Sequence, residues 1–160
     1  ISIMSELRTN RIVPRDGLPS GSSGGVIQVR YGFTSTHVDS SSGTYIDTGI
    51  TASITPTRSD SKVLVMTSIS GVQKRTNDTY LKARLLRDST EVALLDDGAG
   101  YTNSTAYNII GTVTTNCVDS PATTSSVTYK VQFMSAGGTS LVRVQTNSSL
   151  STIVLMEIAG

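Results

Sequence analysis

From Val26 to Ile158 the chain is a succession of short apolar runs, each cut off by Ser, Thr, Gly or Asp. No apolar pattern of helical period and helical length lies between them. Lys62–Val72 (KVLVMTSISGV), Val127–Met134 (VTYKVQFM) and Thr152–Ile158 (TIVLMEI) are the clearest runs. Segments this short, rich in Val and Ile and bounded by turn residues, read as strands buried on one or both faces. The strands expected are 26–34, 45–56, 62–72, 79–88, 91–96, 105–115, 126–135, 140–147 and 151–158. Many short strands without helices give an all-β body, a sandwich or jelly roll. That leaves no room for the common α/β catalytic scaffolds.

Periodicity assigns faces. Ile46, Thr48, Ile50, Ala52 and Ile54 share one face, and Pro56 closes their strand because proline cannot donate to a ladder. Strand 62–72 carries Val63, Val65 and Ile69 on one side and Leu64, Met66 and Val72 on the other, so it is expected to be central and covered on both faces. Asp88-Ser89-Thr90 and Ala136-Gly137-Gly138-Thr139 each read as a hairpin turn. Ser and Thr supply about three residues in ten, which suits strands through Thr and turns through Ser. The apolar share, 37%, is modest; contacts between subunits would supply the missing burial.

Residues 1–25 differ from the rest. They hold Pro14, Pro19 and the run Gly21-Ser22-Ser23-Gly24-Gly25, with little periodicity. Such a segment cannot fold alone, yet Leu7, Ile12 and Val13 are more apolar than a tail requires. The expected organisation is an extended N-terminal arm over 1–25, with the Gly/Ser run as hinge, and a β-sandwich head over 26–160. Leu7, Ile12 and Val13 are its candidate anchoring residues.

The net charge is +1 and no dense Lys/Arg cluster occurs, so the footprint of a nucleic-acid partner is missing. No stretch reaches the roughly 18 apolar residues of a membrane span, and the opening residues ISIMSELRTNR are too polar for a secretory signal. Neither nucleic acid nor membrane is expected as a partner. The single cysteine, Cys117, has no internal partner for a disulfide.

Chemistry-bearing motifs fail on context. Gly21–Gly25 matches G-x-S-x-G, but that serine must sit on a strand-to-helix turn; here a proline-containing arm precedes it and a strand follows. His37, the only histidine, stands near Asp39 without the three or four ligands a zinc site needs. Asp96-Asp97-Gly98 lacks the remainder of a calcium loop. No catalytic residue, metal ligand or cofactor is therefore assigned, and the chain is expected not to be an enzyme.

Five segments, taken in order, carry a resemblance. Thr44–Pro56 (TYIDTGITASITP), Ser61–Val65 (SKVLV), Leu85–Thr90 (LLRDST), Asp119–Val131 (DSPATTSSVTYKV) and Ser151–Gly160 (STIVLMEIAG) resemble a small domain found at the C-termini of bacteriophage tail-fibre proteins. The likeness covers about residues 26–160, and SELRTNRIVPRDG resembles the leader of such modules. The resemblance implies a jelly-roll β-sandwich similar to tumour-necrosis-factor heads, assembled as a homotrimer. It implies a virion component: a fibre or knob fixed to tail or capsid proteins by its arm, projecting from the particle and facing the host surface. Family fibres carry a long shaft, whereas about 25 residues precede this head. That favours a short knob or, as the alternative, a capsid decoration or cement protein or head fibre.

Candidate residues follow from this reading. Arg75, Asn77, Tyr101 and Asn103 stand in the most polar and aromatic expected loops, 73–79 and 97–105, as contacts for a host-surface glycan. Val154, Met156 and Ile158 share one face of the last strand and are the candidates for packing at a trimer axis or in the core. A carbohydrate-binding or glycan-degrading module is the reading from another class. A glycosidase needs two carboxylates about 5–5.5 Å or about 6.5–9.5 Å apart, and twelve acidic residues are present.

Overall fold

A computed structural model describes residues 25–160, and the arm, with Leu7, Ile12 and Val13, lies outside the described residues. Among the described residues ten strands form: β1 (Val26–Thr34), β2 (Val38–Ser40), β3 (Ile46–Ile54), β4 (Lys62–Lys74), β5 (Thr79–Arg87), β6 (Thr90–Thr102), β7 (Asn108–Asp119), β8 (Val127–Ser135), β9 (Val142–Val144) and β10 (Ser151–Ile158). All pairings are antiparallel.

In sheet A, β4 lies between β7 on one edge and β10 and β9 on the other; β1 and β2 flank β10 and β9. Sheet B has the order β3-β8-β5-β6. Taking β1 with β2, and β9 with β10, as interrupted single strands leaves eight positions. They run 1-8-3-6 in sheet A and 2-7-4-5 in sheet B, the strand order of a jelly roll. The expected all-β jelly-roll sandwich is the fold.

Alternation fills the space between the sheets. Ile50 and Ile54 of β3, with Thr48 and Ala52, face inward as period two requires. They meet Val63, Val65 and Ile69 of β4 and Ile153 and Leu155 of β10, all fully buried. Gly32 lets the sheets close at the β1 edge: a Cβ there would lie 1.9 Å from the Thr51 carbonyl oxygen of β3. No side chain larger than hydrogen fits.

Several expectations need correction. Val72 belongs to the core, not to the face of Leu64 and Met66, because β4 bulges at Gly71 (φ +64°) and the extra residue reverses the alternation. The outer face of β4 is also uncovered within the chain: Met66 is 37% exposed. Ala136–Thr139 is not a hairpin, since β8 belongs to sheet B and β9 to sheet A, so this turn carries the chain between sheets. The expected strand 140–147 shrinks to Val142–Val144 and ends in a tight turn at Thr146–Ser148, where Asn147 has φ 54°. In the other direction, β6 and β7 run on to Thr102 and Asp119, past expected ends at 96 and 115, and β2 was not expected at all. The Asp88-Ser89 turn between β5 and β6 is where the sequence puts it, with Asp88 at φ 54°.

Candidate functional site

The outer face of sheet A follows from register. Across β1, β10, β4 and β7 the outward residues line up as Val29–Met156–Leu64–Val118, then Tyr31–Val154–Met66–Asn116, then Phe33–Thr152–Ser68–Thr114. Three successive rows hold no charge; Lys62, beside Ile158, appears only at the rim. Tyr31 is 55% and Phe33 65% exposed, with their rings stacked 5.6 Å apart. Strands about 4.8 Å apart and alternate residues about 6.8 Å apart make this an uncharged surface on the order of 300–400 Å², comparable with the largest patch of a typical monomer, which is often functional.

Val154, Met156 and Ile158 all lie on this outer face. Placing them in the core of the chain is therefore wrong; the inward side of β10 is Ile153, Leu155 and Glu157. The physical cause is that apolar residues occupy both sides of β10, so alternation alone cannot say which side the chain itself covers. Val29, Tyr31 and Phe33 were missed, although their period-two spacing in VIQVRYGFT was the available signal.

The second region is one end of the sandwich, where the β4–β5 and β6–β7 turns meet. Arg75, Asn77, Tyr101 and Asn103 are all exposed there. The structure splits them. The Arg75 guanidinium lies 4.6 Å over the Tyr107 ring. Tyr101 instead donates its hydroxyl to Asp78 Oδ1 at 3.1 Å and packs edge-on against Tyr80, with centroids 5.9 Å apart. Its hydrogen bond to the Asp78 carboxylate, and that charge, push the Tyr101 phenol up. Beneath the turns Lys74 is fully buried, its ammonium donating to the Thr102 carbonyl at 2.8 Å and to the Thr102 hydroxyl. Burial pulls its pKa down. Tyr101 lies in β6 rather than in a loop.

Two inward polar groups tie elements together. Glu157, buried on β10, accepts from Gln28 Nε2 at 2.6 Å and from the Thr57 amide and hydroxyl at 2.7 and 2.8 Å. Burial pushes its carboxyl up, but the hydrogen bonds from Gln28 and Thr57 outweigh it and hold the group below its ordinary value. Asp119 of β7 accepts from Arg87 of β5 at 2.5 Å and from the Tyr129 hydroxyl of β8 at 2.7 Å, linking the two sheets. Burial, and then the bond to Asp119, push the Tyr129 phenol up. Cys117 is half-buried with its thiol pushed up by burial, unlike an activated nucleophile. His37 bonds Asp39 at 2.5 Å on the surface, and Asp39 also accepts from Arg143 at 2.9 Å. Among the described residues no cluster of three or more His, Cys, Asp or Glu could hold a metal ion, and no helix is long and apolar enough to cross a membrane.

No family model matches the chain, and no curated protein matches it. Solved structures do. The chain is similar to a structure of infectious bursal disease virus Gt strain, at 16% identity and TM-score 0.48, over 96% of this chain and 43% of that one. It is similar to the infectious bursal disease virus VP2 subviral particle, at 16% identity and TM-score 0.48, over 96% and 42%. It is also similar to the T=1 particles derived from infectious bursal virus, at 16% identity and TM-score 0.46, over 92% and 41%. The chain thus spans less than half the length of each of these chains.

Proposed function

We propose that this chain is a structural protein of a bacteriophage virion, a short fibre or knob that works as a homotrimer through the outer face of sheet A. The observation that carries the reading is that face: three uncharged rows across four strands, open in the single chain. A jelly roll already buries its inner faces, so a second apolar face calls for a partner. The trimeric state and the virion address rest on the resemblance of five ordered segments to phage fibre heads. In this reading the arm, through Leu7, Ile12 and Val13, attaches the head to tail or capsid proteins, and the far surface faces the host. The role is one of shape and binding, without catalysis.

Size exclusion with light scattering tests it. A single species at three times 16.9 kDa is expected. A stable monomer would sink the proposal, and a mass of twice 16.9 kDa would replace the trimer with a face-to-face dimer. Copy number on purified particles then separates a tail knob, with few copies, from capsid decoration, with many.

A further inference from the structure

We propose that the end of sheet B's outer surface bearing Asp78, Tyr80, Lys82, Asp97 and Tyr101 is a binding site for a neutral pyranose sugar. The proposal deepens the host-facing role above and rests on it.

The argument starts from Tyr101. The residue is 52% exposed although both its ring and its hydroxyl are held. Tyr80 braces it edge-on at an interplanar angle of 82°, and its hydroxyl is tied to Asp78 at 3.1 Å. The ring is a fixed apolar platform, and a flat face of that kind accepts the C–H face of a pyranose at little entropic cost. One row further along, Lys82 pairs with Asp97 at 2.7 Å, and the Lys82 ammonium lies 5.8 Å from the Tyr80 ring. A sugar stacked on Tyr101 thus has carboxylate acceptors at Asp78 and Asp97 and an ammonium donor at Lys82 along its rim. Each carboxylate can accept several bonds, so both keep capacity for hydroxyl donors.

Charge selects within the sugars. The two ammonium groups here are already engaged, Lys82 by Asp97 and the buried Lys74 by Thr102, so neither is free to hold a sialic acid, a uronic acid or a phosphate. The same want of a free cation disfavours a nucleic-acid strand, whose bases could otherwise stack on the ring. The site lies on the sheet opposite the proposed trimer face, so assembly leaves it open and presents it three times. Three weak sites on one particle bind a surface polymer far more tightly than one.

Saturation-transfer NMR tests this on the full chain. The probes are the methyl glycosides of glucose, galactose, mannose and N-acetylglucosamine, with N-acetylneuraminic acid as the charged control. Transfer to at least one neutral glycoside and not to the acid is expected. Tyr101→Ala should weaken it at least tenfold, while Tyr107→Ala, on the Arg75 side of the turn, should leave it unchanged. No transfer to any neutral glycoside, transfer that persists in Tyr101→Ala, or binding of the acid alone would overturn the site. Trimer mass measured on the same samples keeps the two proposals apart: loss of sugar with an intact trimer sinks only this one.

Discussion

The two outer faces of the sandwich are built from the same kind of strand and differ in almost everything else. On sheet B the outward side chains form a charged lattice. Lys82 pairs with Asp97 at 2.7 Å, Arg84 with Glu91 at 3.0 Å and Lys130 with Asp47 at 3.1 Å. Gln132 bridges Arg84 and Asp47, and Arg84 lies 4.0 Å over the Tyr45 ring. On sheet A the corresponding rows are Val, Tyr, Phe, Met and Leu with Thr, Ser68 and Asn116, and they hold no ion pair. A solvated face can spend its positions on mutually satisfied charges. A face covered by protein cannot, because desolvating charge costs more than pairing it returns. In the proposed assembly, this difference separates the side left to water from the side that another chain covers.

The sharpest way to break this comparison is to charge the apolar face. Met156→Asp puts a carboxylate between Val29 and Leu64. It is expected to dissociate the trimer at a cost of several kcal/mol, while the far-ultraviolet circular dichroism of the chain stays that of a β-sandwich. A mass of 16.9 kDa by light scattering is the expected readout. A trimer that survives this change would mean that sheet A's outer face is not the interface. The matched change on sheet B, Gln132→Glu, should leave the mass unaltered.

Next come the places where the two sheets are forced together. Gly32→Ala drives a methyl into the Thr51 carbonyl, and Gly71→Ala combines φ +64° with a Cβ 2.5 Å from the Thr146 amide nitrogen. Each should lower stability by about 1–3 kcal/mol in urea melts. Neither should change the faces themselves, so both variants should still assemble at low denaturant.

A smaller effect comes from Glu157. Its folded pKa is depressed below 4.5, so the unfolded chain binds the proton more readily. Its stabilisation is present above 4.5 and is lost as the pH falls through the folded value. Melting temperature should therefore decline below pH 4.5, and Glu157→Gln should flatten that acid limb. An unchanged limb would show that other carboxylates govern it. Smallest of all, Glu91→Ala removes only the pair with Arg84, its own side chain being 48% exposed, and is expected to cost about 0.2–1 kcal/mol. A larger loss, read from the same melts, would mean that sheet B's lattice is structural rather than solvating.

Much of this was legible in the chain. Ile50, Ala52 and Ile54 declare their side because Asp47, Thr51 and Ser53 alternate with them. Where polar and apolar residues take turns, a pleated strand leaves no choice. On β10 and β4 the signal fails. Val154 and Met156 are as apolar as Ile153 and Leu155, and nothing local distinguishes a core from an interface. Val72 was misplaced for a different reason: Gly71 hosts a bulge, and a one-residue slip reverses every later side chain. Tyr101 stands out in the sequence, but its partners Asp78 and Tyr80 do not. They lie more than twenty positions away and meet it only because β5 pairs with β6.

The sequence by itself determined the class of the fold and the inward residues of the alternating strands, because period two and turn chemistry are local properties. Only the tertiary structure decided which apolar face the chain covers and which it leaves open, and which tyrosine meets which acid. Those outcomes depend on the register between strands distant in sequence, where each pairing aligns whole rows of side chains at once.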